Sequence, residues 1–199
     1  MGVSEHSARY SAHGLRFILT RWCGLCRTAG ARGELMQASS HAISLIQKFE
    51  GLRTKAYKPY PHEPHFTIGY GHCGPEVKAG SVCTEREAEN LLRADIKKFE
   101  AQLTKALNAD EIEVTQNQYD ALISFVFNLG VYTLIHGGKS QPVTATGSIW
   151  KYLKEKNIPL AAASFMLYVK AGGVRSKGLV ARRNAEAKLF WPLFQEKQG

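Results

Sequence analysis

A chain of 199 residues, 44% hydrophobic and 22% charged, has an ordinary globular composition and suits one domain or two lobes around a cleft. No apolar run approaches the roughly 20 residues that a membrane span needs, which argues against stable membrane insertion. The net charge of +9 favours a polyanionic partner, but the basic residues are scattered rather than set in an aromatic-interleaved stripe, which argues against nucleic acid.

Residues 1–38 differ from the rest. They carry Arg9, Arg16, Arg21, Arg27 and Arg32 against only Glu5 and Glu34. Their apolar patch is broken by Arg16 and Arg21, so it reads as neither an anchor nor a clear signal peptide. We expect a disordered or mis-started N-terminal extension over 1–38 and a folded domain over 39–194. Cys23-Gly-Leu-Cys26 lies in this Arg-rich stretch with no second CxxC, and reads as a chance pair. Cys73 and Cys83 flank a short loop; they could pair if close, or stand as two small buried thiols.

Ser39 or Ser40 can cap a helix whose apolar face is Ala42, Leu45, Ile46 and Phe49. Glu50 falls at its end, where an apolar setting would favour the protonated acid. Pro59, Pro61 and Pro64 exclude a helix over 56–67. Phe66-Thr67-Ile68-Gly69-Tyr70 reads as a strand, with Gly69 and Gly71 marking a bend or a close backbone approach.

Thr84-Glu85-Arg86-Glu87 is a capping box that opens a helix of about 24 residues, long enough to join two lobes. A second box, Thr115-Gln116-Asn117-Gln118, opens an apolar helix over 119–129 that Gly130 closes. A polar loop over 136–147, a helix over 148–153, a break at 157–160, a helix over 161–169 and a basic amphipathic helix over 180–190 follow. The expected fold is α+β and predominantly helical, with one small β region near 56–72.

Glycosidic hydrolysis needs a proton donor for the leaving oxygen and a means of delivering water, and two carboxyls usually supply these. Glu50 suits the donor. Thr67 can hold a water through its hydroxyl, and Glu63 could take that water's proton. His62-Glu63-Pro64-His65 lacks the helical spacing of a zinc HExxH motif, so no metal or other cofactor is expected. His72 reads as a structural hydrogen-bond partner.

Together these residues resemble the phage-type lysozymes and related endolysins. The likeness rests on Phe49-Glu50-Gly51-Leu52-Arg53, Ala56-Tyr57 and Thr67-Ile68-Gly69-Tyr70-Gly71-His72. It continues through residues 84–92 and 121–130 to Ala171-Gly172-Gly173 and the block from Gly178 to Glu186. The resemblance implies a lysozyme-like fold: a small β-hairpin lobe, a long connecting helix and a helical C-terminal lobe. It implies cleavage of the β-1,4 bond between N-acetylmuramic acid and N-acetylglucosamine in peptidoglycan glycan strands. Glu50 would be the general acid, Thr67 the residue that places water, and Phe127 and Ser148 part of the glycan cleft. It also implies a monomer held in the producing cell's cytoplasm until release to the wall. One position departs: the family's second acid falls on Pro59, in a loop about two residues longer, so Glu63 is the candidate replacement. Transglycosylase-type cleavage, or a catalytically weak wall-binding protein, are the alternatives.

Overall fold

The computed structural model describes residues 36–60, 62–137 and 148–195. Residues 1–35 of the expected extension, with Cys23 and Cys26, lie outside them, as does most of the expected 136–147 loop. Residues 36–38 are seated on the domain. Met36 and Ala38 pack against the core, and the Ala38 amide donates to Glu100.

Helix α1 (Ser40–Glu50) begins at Ser39, whose hydroxyl oxygen accepts from the His41 amide. Its buried residues are Ala42, Ile43 and Ile46, whereas Leu45 and Phe49 are only partly covered. Ser39 also donates to Asp120 through its amide (2.9 Å) and its hydroxyl. The cap therefore moors α1 to the central helix described below.

Three short strands follow: β1 (Arg53–Tyr57), β2 (Thr67–Gly69) and β3 (His72–Cys73), antiparallel in the order β1-β2-β3. Arg53 faces Gly69 and Tyr57 faces Thr67, so β1 carries extra residues between these pairs and bulges. The other side of β1 is covered by the 81–83 segment, through Ala56 N to Ser81 O and Cys83 N to Thr54 O, each 2.9 Å. The β region therefore starts at Arg53, earlier than expected. Cys73 is exposed, Cys83 is half-buried, and both are free thiols.

Helix α2 (Glu85–Ala109) spans 25 residues and opens on the expected Thr84/Glu87 capping box. Ala88, Leu92, Ile96, Leu103 and Leu107 form its buried face. Its first half supports the β lobe. Gly69 has φ +66, and a Cβ there would lie 3.1 Å from Ala88 Cβ and 3.3 Å from Ala88 Cα. Only glycine both adopts that backbone and lets β2 come so near the helix.

His72 adds a second tie. Its Nδ1 lies 2.7 Å from Asp95 on α2 and its Nε2 lies 2.6 Å from Glu76. Burial by itself lowers the imidazole's proton affinity, but the bonds and charges of Asp95 and Glu76 outweigh it, and the net shift is upward. A doubly protonated ring donates to both carboxylates. His72 is thus a structural partner, as its sequence setting suggested.

Helix α3 (Gln116–His136) opens on the second capping box and is broken at Gly130, where the sequence expected it to close. Residues 119–126 are all 0% exposed, so the helix is wrapped on every side, by α1, α2, α4 and α6. Helix α4 (Ser148–Lys154) is followed by α5 (Ile158–Ser164). The expected helix over 161–169 shifts at both ends. Asn157 caps the Leu160 amide and Pro159 sits in the first turn, which starts α5 early. After Ser164 the chain tightens into a 3₁₀ turn, Phe165–Leu167, and leaves helical geometry.

Strands β4 (Lys170–Ala171) and β5 (Val174–Arg175) form a small unforeseen hairpin around Gly172-Gly173. Two-residue strands are too short to show an alternating pattern. Helix α6 (Lys177–Phe190) starts at the Ser176 cap. Its expected basic outer face is also revised: Arg182, Arg183 and Glu186 are buried with Ala187 and Phe190. The fold is α+β and predominantly helical. Among the described residues, no helix is long and apolar enough to cross a membrane.

Candidate active site

Glu50 is the last residue of α1. The chain turns out at Gly51, whose amide donates to the Gln47 carbonyl at 3.0 Å, and then enters β1. One carboxylate oxygen of Glu50 faces the β2–β3 turn. A Cβ on Gly71, which has φ +92, would lie 3.7 Å from Glu50 Oε2. The other oxygen, Oε1, accepts from Arg182 Nη1 at 2.6 Å. The Glu50 side chain remains 24% exposed, so it is held in place yet reachable from solvent. The Arg182 guanidinium also lies over the Phe49 ring, 5.8 Å from its centroid. The setting is therefore not simply apolar; a cation sits on the acid.

Arg182 is itself fixed from behind. Its Nε donates to Glu186 Oε1 at 3.2 Å and its Nη2 to the Ser124 carbonyl at 3.1 Å. Ser124 Oγ donates to the same Glu186 oxygen at 2.7 Å. Arg183 Nη1 lies 3.1 Å from Glu186 Oε2, and Arg183 Nη2 donates to Asn128 Oδ1 at 2.7 Å. Burial pulls the Arg183 guanidinium down to about 10, and Glu186 opposes that pull. Burial pushes the Glu186 carboxyl up, against both arginines and Ser124.

Thr67 is buried at 7% exposure at the start of β2, paired with Tyr57 on one side and Cys73 on the other. It shares the small sheet that reaches Glu50 through Gly71. Glu63 is half-buried in the connecting loop, where its amide donates to the Tyr60 carbonyl at 3.1 Å. Among the described residues its carboxylate makes no hydrogen bond or ion pair with Glu50 or Thr67. Phe127 is half-buried on α3 and packs on Phe99, with ring centroids 5.4 Å apart. Ser148 is buried at the first residue of α4.

The structure thus joins Glu50 to two sequence blocks: the Thr67–His72 block through Gly71, and the C-terminal block through Arg182. Sequence reasoning missed Arg182, which lies 132 residues further along the chain. The signal was present in α6. Glu186 follows Arg182 and Arg183 at helical spacing, on the side that also carries Ala187 and Phe190. Charges that share a face with apolar residues point inward.

The arrangement can present an oriented carboxyl, about a quarter exposed to solvent, beside the β2–β3 turn. The family model described as phage lysozyme matches residues 47–186. An endolysin of Bacillus phage PZA is 44% identical over 155 residues, covering 78% of this chain and 55% of its own length. The chain thus spans about half the length of that relative. An endolysin of Acyrthosiphon pisum secondary endosymbiont phage 1 is 38% identical over 160 residues, covering 78% of this chain and 98% of its own. The solved endolysin from Escherichia coli O157:H7 phage FAHEc1 superposes with a TM-score of 0.63 at 31% identity, covering 81% of this chain and 98% of that one.

Proposed function

This chain belongs to the phage lysozyme family, and on that premise we propose that it is an endolysin that hydrolyses bacterial peptidoglycan. The bond is the β-1,4 linkage from N-acetylmuramic acid to N-acetylglucosamine. Glu50 is the general acid and gives its proton to the leaving glycosidic oxygen. Water adds to the anomeric carbon, leaving a reducing sugar end. Thr67 orients that water, which gives up one proton to solvent as it adds and keeps the other as the new hydroxyl; Glu63 is the alternative acceptor of that proton in the loop. Phe127 and Ser148 belong to the glycan-facing side of the C-terminal lobe. The basic net charge suits an anionic wall. On this reading the chain acts as a monomer that waits in the producing cell's cytoplasm and works once released to the wall.

The observation that carries the reading is Glu50 itself. It is held through one oxygen by Arg182, faces the glycine turn with the other, and stays open to solvent. Zymography on purified peptidoglycan, with mass analysis of the products, tests it. Wild type clears the wall material and leaves reducing muramyl ends, and Glu50→Gln loses about 10²–10⁴-fold in turnover. Wild-type turnover in Glu50→Gln removes Glu50 as the acid.

One observation favours a second product. Pro59 carries no acid, and the Glu63 carboxylate is not joined to Thr67. Attack by the muramyl 6-hydroxyl in place of water would give anhydro ends of different mass. The same spectra separate the two outcomes.

A further inference from the structure

We infer that Glu186 is a positioning residue for Glu50, acting through Arg182: its enclosed carboxylate shares the Arg182 charge, so that Glu50 can regain a proton after each turnover. This rests on the reading of Glu50 as the proton donor. A donor must be reloaded from solvent once it has protonated the leaving oxygen. An arginine bonded to it at 2.6 Å works against reloading unless its charge is drawn elsewhere.

The geometry supplies the counterweight. Charges alternate along one line of contacts: Glu50, Arg182, Glu186, Arg183. Glu186 is 0% exposed, so solvent does not dilute its effect on Arg182. Ser124 fixes both members of the central pair, with its hydroxyl on Glu186 and its carbonyl on Arg182. The charged groups facing this pair come from two helices. Helix α1 gives Glu50 and α6 gives Arg183. Helix α3 contributes the neutral Ser124 and Asn128, while α5 and the 3₁₀ turn carry no titratable side chain.

Stability alone does not account for the cluster. Enclosed ion pairs are commonly replaceable by apolar side chains at no loss.

The test titrates the Glu50 carboxyl by carbon-13 NMR in the full chain, with its signal identified by its absence in Glu50→Gln, alongside the pH–activity profile. In Glu186→Gln the two arginines lose their counterion. The Glu50 midpoint and the basic flank of activity then move to lower pH by about one unit. Glu186→Asp keeps the charge and returns both toward wild type. Asn128→Asp is isosteric at a half-buried site and adds an anion beside Arg183, so it moves both to higher pH. It decides the matter if Glu186→Gln does not fold. An unmoved Glu50 midpoint in the charge variants overturns the inference, even when peptidoglycan is cleaved. Shifted midpoints in a chain that cleaves nothing would leave the coupling standing and sink the functional reading instead.

Discussion

The helical region around α3 and the β lobe are held together by different means. Around α3, residues 119–126 are wholly enclosed, and even the charges of α6 are folded inside. The β lobe has little apolar interior of its own. Tyr70 ties it into the core shared with Ala88 and Leu92, and its other attachments to α2 are point contacts: Gly69 against Ala88, and His72 between Asp95 and Glu76. Glu50 lies where the two regions meet. Continuous burial fixes its arginine, whereas point contacts fix the strand lip opposite. The strand lip should therefore loosen under perturbations that leave the arginine side intact, whereas loss of the shared core should loosen both.

The sharpest way to expose that contrast is Leu122→Ala. Leu122 is 0% exposed at the centre of α3, and its truncation should cost about 2–5 kcal/mol. Denaturant unfolding measures the cost, and hydrogen exchange should rise across both regions because the core is shared. A cost under about half a kcal/mol would contradict the packing described above.

Asp95→Asn should be smaller and local, at about 1.5–3 kcal/mol for loss of a charged hydrogen bond. Faster exchange is expected in the β lobe only. Its pH dependence has a definite sign. The folded His72 binds its proton more tightly than a free imidazole does. The clamp's contribution is therefore complete below the free imidazole value of about 6.5 and fades as pH rises through the higher folded value. The penalty of Asp95→Asn, measured by melting at several pH values, should be largest near pH 6 and shrink in alkali. A penalty that grows with pH would show that the ring is neutral in the fold.

Gly69→Ala should cost about 1–3 kcal/mol, because the new methyl combines a positive φ with a 3.1 Å approach to Ala88. If it instead melts with wild type, β2 can retreat from α2 and the point-contact picture fails. The smallest effect is expected from Glu63→Gln, with stability unchanged to within about 0.5 kcal/mol and turnover reduced far less than in Glu50→Gln. A turnover loss equal to that of Glu50→Gln would make Glu63 the base.

Much of this was legible in the residues. Both capping boxes start helices at Thr84 and Thr115, and Gly130 breaks α3, because these signals are local. Glu50 and the Thr67–His72 block could be read as a site because they are near neighbours in sequence. Arg182 could not, since its partner lies 132 residues away and an arginine on a basic helix resembles a solvated one. The β4–β5 hairpin is too short to imprint a period on the residues around Gly172-Gly173. In the proline-rich loop, three prolines excluded a helix without saying what replaces it, so the reach of Glu63 stayed open.

Helix α2 has one more consequence. It is a single unbroken rod that carries Ala88 against β2 near its start and Leu103 in the helical core near its end. Each residue along such a rod adds about 1.5 Å of length and about 100° of rotation. The distance from Ala88 to Leu103 is therefore also a phase. One inserted residue would swing the strand lip roughly a quarter-turn around the helix and carry it away from Glu50, while leaving every local contact on either side chemically intact. The placing of the strand lip beside Glu50 depends on the count of residues in α2 as much as on their identity.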